Sequence, residues 1–274
     1  MEYSPGLRGV IAGETKISTV GMEGTSLRYR GYDAIKLRDT HTYEDVASLM
    51  INDDLDGSDF TAFFQKYYTE LDSDKDINNL LEQIKSRLHP MDVIRTIVSY
   101  IGESEKKSDL EATTQISAAV AYVIASYNDS KTSKLNDEYT VASSMLSDEA
   151  SNDQLQALDD ILILYAEHGF NASTFATRVT GSTRSDLTSS IVSGIGTLKG
   201  ELHGGANERA VELINSFQDV EDATVGVMKM LDEKKKIMGF GHGVYKIQDP
   251  RSPVVKSWVA VSYTHLTLPT IYSV

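Results

Sequence analysis

Two histidines set in glycine-rich bends are the residues of this sequence best placed to do chemistry. His203 lies in Leu202-His203-Gly204-Gly205-Ala206-Asn207, and His242 in Gly239-Phe240-Gly241-His242-Gly243-Val244. Glycine admits torsions other residues avoid and lets a ligand come close to the main chain. A histidine among glycines gains little packing, so its ring is better explained as a proton donor or acceptor. Two such rings at one small cavity would supply two donors to one substrate. His168 is a third candidate. It closes an apolar helical stretch before Gly169 and, taken alone, reads as a helix C-cap bonding the last carbonyls. His41 and His89 read as structural, His89 as the start of the helix that Pro90 opens. No His-x-x-x-His spacing and no local carboxylate set marks a zinc site, so no metal is expected. Gly239-Phe240-Gly241 is like a dinucleotide loop only superficially, since no strand precedes it.

Charge narrows the partners. The 274 residues carry a net charge of −14 and no cysteine. The acidity argues against nucleic acid or a membrane surface as partner. The lack of cysteine rules out disulfides and fits a reducing, cytoplasmic setting. No apolar run reaches membrane-spanning length, and no signal-peptide pattern opens the chain. The charge is uneven: residues 234–256 hold Lys234, Lys235, Lys236, Lys246, Arg251 and Lys256 against Asp249 alone. That local excess beside His242 suits an anionic ligand, although Lys234 to Lys236 by themselves read as a solvated helix end.

The elements that position these residues are helical almost throughout. Gly13–Val20 and Ser26–Tyr32 form a short hairpin pattern around Gly21-Met22-Glu23-Gly24. Helical spacing then follows over 42–50, 59–71, 76–88, from Pro90, 109–127, 152–165, 171–179, 186–198, 207–217 and 222–236. The polar stretch 128–137 reads as a surface loop. The expected class is all-α with a small N-terminal β-hairpin.

Six blocks in order carry a resemblance. They are Leu27-Arg28-Tyr29-Arg30-Gly31-Tyr32-Asp33, His89-Pro90-Met91-Asp92-Val93-Ile94-Arg95-Thr96 and Tyr165-Ala166-Glu167-His168-Gly169-Phe170-Asn171-Ala172-Ser173-Thr174. After these come Leu198 to Asn207, Ile237 to His242, and Gly243-Val244-Tyr245-Lys246-Ile247-Gln248-Asp249-Pro250-Arg251. In these the chain resembles citrate synthases of the shorter bacterial or archaeal type, from about Gly6 to about Lys256. The resemblance implies an acyltransferase that condenses acetyl-CoA with oxaloacetate and hydrolyses the thioester to citrate and CoA. It needs no cofactor beyond its CoA substrate and works as a homodimer. It implies a large helical domain over 1–203 and a small one over 204–260. His203 would polarise the thioester carbonyl, and His242 the oxaloacetate ketone. His168 and Arg251, with the two catalytic histidines, would bind oxaloacetate. Ile237, Met238, Gly239, Gly241 and Gly243 would lie along CoA.

Two departures stand out. Gly243 takes a position where many bacterial relatives carry arginine. The family's catalytic aspartate, in an Asp-Phe-Tyr-like motif, and its later arginines have no match. Residues 261–274 read as foreign: Val261 to Thr270 back-translate into a transposon adaptor used in sequencing libraries, which the source nucleotides after Ala260 would test. His265 therefore carries no functional weight. On this reading the polypeptide is an inactive fragment, and the apolar faces of helices 207–217 and 222–236 lie open. Other readings are a 2-methylcitrate synthase using propionyl-CoA, a non-catalytic helical CoA-binding protein, and a histidine metalloenzyme holding zinc. Methylcitrate enzymes tend to carry proline after the histidine, so Gly243-Val244-Tyr245-Lys246 fits the citrate enzymes better.

Overall fold

A computed structural model describes residues 12–21, 26–102, 106–128, 139–240, 245 and 247–264. Over these the protein is mainly helical with one small antiparallel sheet, ordered β1 (Ser18–Val20), β2 (Leu27–Tyr29), β3 (Tyr32–Asp33). β1 and β2 pair with Ser18 opposite Tyr29 and Val20 opposite Leu27, the hairpin expected from the sequence. Its turn residues Met22 to Gly24 lie outside the described residues. The third strand was not expected. It follows from Arg30 and Gly31, whose φ values of 47° and 91° make the tight left-handed turn that suits twisted antiparallel strands.

The helices are α1 (Ala34–Leu37), α2 (Tyr43–Asn52), α3 (Ser58–Ser73), α4 (Lys75–Ile84), α5 (Pro90–Ile101), α6 (Asp109–Ala125) and α7 (Val141–Met145). They continue with α8 (Asn152–Tyr165), α9 (Ala172–Ser182), α10 (Leu187–Leu198), α11 (Gly205–Asn215), α12 (Val220–Asp232) and α13 (Ser252–Thr264). Polar side chains start most of them: Thr42, Asp74, Ser108, Ser151, Asn171, Asp186 and Asp219 each accept a first-turn N–H. His89 does the same for α5, its ring accepting from the Met91 N–H at 3.2 Å, as expected of a structural histidine. α4 stops four residues short of Leu88, where the chain tightens into turns before Pro90. α12 stops at Asp232 because Lys234 takes a left-handed φ of 54°. There Lys234 N–H donates to Leu231 O at 3.0 Å and Lys235 N–H to Met230 O at 2.8 Å, a Schellman closure without its usual glycine.

One core cluster joins α3, α4, α5 and α6, with Phe60, Phe64, Tyr68, Val93, Ile97 and Ala119 at its centre. A second lies under the sheet, where Leu27, Tyr29, Leu37, Val46, Leu49 and Ile163 come together. This smaller cluster fixes the end of α8, from which the candidate site is built. α11 and α12 contribute no buried residue, and Ile214, Val225, Met228 and Leu231 are exposed, as the sequence reading expects. No helix of the described residues is long and apolar enough to cross a membrane.

Candidate functional site

The segment from Tyr165 to Ser173 gathers three of the regions singled out in the sequence. It begins where α8 ends. The buried Tyr29 hydroxyl donates to Ile163 O at 2.9 Å and Leu164 O at 3.1 Å, satisfying carbonyls the helix end leaves open. His168 is therefore not the cap; Ala166 holds that position and Tyr29 takes the carbonyls. A tyrosine more than 130 residues away in sequence does the job a local histidine would be expected to do.

Glu167 then pins the loop. Its Oε1 accepts from the Gly169 N–H at 2.6 Å and from the Ser18 hydroxyl of β1 at 3.1 Å. Burial pushes its carboxyl above the ordinary range against the pull of those bonds. Gly169 carries a φ of 71°, which lets the chain reverse here. Phe170 packs under the Arg178 guanidinium, 4.7 Å from its ring centre. Asn171 caps α9 by accepting from the Thr174 N–H at 2.9 Å.

Three contacts converge on this segment. His168 meets Tyr245 edge-on, ring centres 5.5 Å apart at 72°. The Arg251 guanidinium lies over the Tyr165 ring at 5.2 Å. His203 reaches Ser173, its Nε2 lying 2.8 Å from the hydroxyl and 3.3 Å from the backbone nitrogen. The amide proton is fixed in direction, so a proton on Nε2 would oppose it. Nε2 is therefore the acceptor, and the ring's proton sits on Nδ1. The hydroxyl can turn to the ring or to Asn171 Oδ1, also 2.8 Å away.

Space dictates the glycines around His203. A Cβ on Gly204 would stand 2.5 Å from Leu198 O, and one on Gly205 would stand 3.0 Å from the carbonyl oxygens of Lys199 and Gly200. α11 thus begins in contact with the carbonyl end of α10. Gly194 lets α9 cross α10 closely, since a Cβ there would meet Thr177 Oγ1 at 2.2 Å. The two close approaches hold Ser173 and His203 in register.

Arg251 is already engaged. Its Nε donates to Asp249 Oδ1 at 3.0 Å and a terminal nitrogen to Oδ2 at 2.7 Å. Burial works against its charge but the Asp249 carboxylate prevails and raises its pKa. In the sequence Asp249 stands out as the one acid of a basic stretch, with nothing to mark it as the partner of Arg251. Another of those cations is also paired: Lys235 meets Glu233 at 2.6 Å. Ile237, Met238 and Gly239 form a turn closed by the Phe240 N–H on Ile237 O at 3.3 Å. Gly239 has a φ of 88°, and a Cβ there would press on Ala210 of α11 at 3.2 Å. His242, Gly241 and Gly243 lie outside the described residues. Among the described residues no three His, Asp or Glu side chains converge as metal ligands.

The helical architecture with its small sheet is that of solved citrate synthases. The Thermotoga maritima enzyme superposes with a TM-score of 0.80 at 29% identity, covering 94% of this chain and 73% of its own. A ternary complex of the Thermoplasma acidophilum enzyme with carboxymethyl coenzyme A and oxaloacetate gives 0.79 at 25% identity, covering 94% and 72%. The family model for the citrate synthase C-terminal domain matches residues 6–269, and the chain belongs to the citrate synthase family. A 2-methylcitrate synthase of Shewanella oneidensis is 40% identical over 270 residues, 92% of this chain and 71% of the relative. A citrate synthase of Mycolicibacterium smegmatis is 34% identical over 266 residues, with 92% and 71% covered.

Proposed function

We propose that this chain carries the site at which acetyl-CoA is joined to oxaloacetate, giving citrate and CoA once the thioester is hydrolysed. The observation that carries the reading is the Ser173 amide on His203 Nε2. It leaves a neutral imidazole whose Nδ1–H can donate to the thioester carbonyl. An acetyl α-proton is far less acidic than a carboxylic acid of pKa about 4, so a carboxylate can remove it only where the forming enolate is stabilised. His203 supplies that donor. His242 donates to the ketone and makes it more electrophilic. His168 and Arg251 hold oxaloacetate, since a guanidinium fork matches a carboxylate. Asp249 takes Nε and one terminal nitrogen, and the other terminal nitrogen meets the substrate. Ile237, Met238, Gly239, Gly241 and Gly243 run along CoA. The Thermoplasma acidophilum complex, holding a CoA derivative together with oxaloacetate, supports the pairing of ligands.

The division into residues 1–203 and 204–260 puts His203 at a seam between domains, where closure would keep water from the enol. A cytoplasmic homodimer is the assembly this reading implies. A second reading, 2-methylcitrate synthesis from propionyl-CoA, is favoured by relatives of that name from Shewanella oneidensis at 40% identity and Corynebacterium glutamicum at 38%.

Calorimetric titration of the oxaloacetate-loaded chain with acetyl-CoA and propionyl-CoA separates the two. Tighter acetyl-CoA binding is expected. Tighter propionyl-CoA binding selects the second reading. CoA binding that ignores oxaloacetate points to a CoA-binding protein, and binding of neither ligand defeats the proposal.

A further inference from the structure

Asp160 of α8 is fully buried and collects three donors. Arg38, the residue that closes α1, donates to Oδ2 at 2.6 Å, and so does the Trp258 indole N–H of α13, also at 2.6 Å. Gln156, one turn earlier on α8, donates to Oδ1 at 3.1 Å. Burying a carboxylate is costly unless it is paired and hydrogen-bonded, and even then apolar replacements are often as stable. Stability is thus a weak reason for this arrangement, and its geometry supplies a better one.

Arg251, Val254 and Trp258 stand at i, i+3 and i+7 of α13 and its leading turn, so they share one face. That face lies against α8. Arg251 covers the Tyr165 ring, Val254 is buried, and Trp258 reaches Asp160. Along α13 the contacts move backward on α8, from Tyr165 to Asp160, so the two helices run antiparallel and are fastened at both ends. Arg251 O accepts the Val254 and Val255 N–H groups, each at 3.1 Å, so the arginine's backbone moves with the helix.

We propose that Asp160 is a positioning residue for oxaloacetate: through Trp258 it fixes where α13 sits along α8, and so where Arg251 is presented. The proposal rests on the reading of Arg251 as a substrate ligand. Trp258 is the only tryptophan of the chain, so its emission reports on this contact alone.

The test uses the full chain and three variants, Asp160→Asn, Trp258→Phe and Arg251→Gln, titrated with oxaloacetate and separately with CoA. Asp160→Asn turns a donor toward Arg38 and Trp258. It should shift the tryptophan emission and weaken oxaloacetate roughly tenfold, the scale of one lost hydrogen bond to a charged group, with CoA affinity kept. Trp258→Phe keeps the Arg38 pair and should weaken oxaloacetate less, in the same direction. It carries the test should the asparagine variant not fold. Unchanged oxaloacetate affinity in both, with Arg251→Gln losing it, overturns the positioning role and leaves the reading of Arg251 standing. Parallel losses of oxaloacetate and CoA affinity show general loosening and also overturn it. Arg251→Gln without effect, or no oxaloacetate binding by the unaltered chain, removes the reading underneath.

Discussion

Replacing Gly204 with alanine should damage the bend that holds His203, although its torsions give no warning of it. Gly204 has φ −62° and ψ −31°, ordinary helical values. On backbone grounds alone, alanine would add up to about 1 kcal/mol of stability. Space decides otherwise. The new Cβ would lie 2.5 Å from Leu198 O and 2.8 Å from Leu198 Cδ1. Relief to ordinary contact requires an opening of roughly 0.7 Å or more. Because one of the crowded atoms is a main-chain oxygen, a rotamer change cannot provide it. Overpacking of this kind costs about 1–3 kcal/mol, which against that gain leaves a net loss of up to about 2 kcal/mol. The upper end corresponds to a fall in melting temperature of about 4–8 °C for a chain of this size. The same shift would carry the Ser173 amide, now 3.3 Å from His203 Nε2, beyond bonding distance. Calorimetric melting and the ¹⁵N spectrum of the imidazole read the two effects separately. Gly31→Ala is the control: nothing lies within 4 Å of that Cβ, and its φ of 91° penalises alanine by torsion alone. It should lower stability with the His203 resonances unmoved. If Gly204→Ala melts as high as the parent and keeps the His203 resonances, close approach is not why glycine stands there.

Three further outcomes follow from the same geometry. Burial, then the nearby Glu44 and Asp160, push the Asp159 carboxyl from 3.8 up to about 7 although it accepts from the Tyr43 N–H. The folded state thus holds a proton the unfolded state releases, so stability should fall as pH rises between about 4 and 7. Asp159→Asn keeps the Tyr43 bond and should flatten that slope. At pH 7.5 it should gain about 2 kcal/mol in urea unfolding, half the full shift because water still reaches the group; an unchanged slope would remove the assignment. Ser173→Ala should leave His203 protonated on Nδ1, since the backbone amide stays; an Nε2–H signal in the ¹⁵N spectrum would show that the hydroxyl, not the amide, sets the tautomer. Lys234→Gly should raise stability by about 0.5–1 kcal/mol by relieving the left-handed torsion at the end of α12, and a lower melting temperature would contradict that.

Ten helices were legible because their apolar residues recur at helical spacing over two turns or more. α1 and α7 were not, since four and five residues are too few for a period to show. α13, from Ser252 to Thr264, escapes for another reason: its first nine residues show no helical signal singled out in the sequence, and its last four fall in the stretch that reads as foreign. Residues 265–274 lie outside the described residues. In the candidate site, the glycines beside His203 read from the sequence as freedom for the backbone and room for a ligand. Gly204 and Gly205 prove to be there for space, and only contacts with Leu198, Lys199 and Gly200 reveal that. Ser173, Asp249 and Tyr29 were present in the quoted blocks but carried no signal of their own. Each acts through a partner whose distance is fixed by folding, not by spacing in the chain.

The sheet illustrates the point most fully, because the sequence shows it only as a small hairpin beside the helices. Leu27 and Tyr29 of β2 point inward by strand alternation, and Tyr29 closes the end of α8. Ser18 of β1, paired across from Tyr29, donates to Glu167. One pair of facing residues therefore grips the loop on both sides of its bend, at the helix end and beside His168. The loop runs on to Ser173, whose amide sets the His203 tautomer. A slip of one residue between β1 and β2 would put these two side chains on opposite faces of the sheet and release the grip. The N-terminal strands thus hold the geometry of His168 and His203 without contributing a group to the chemistry, and that is why the helices alone do not account for the site.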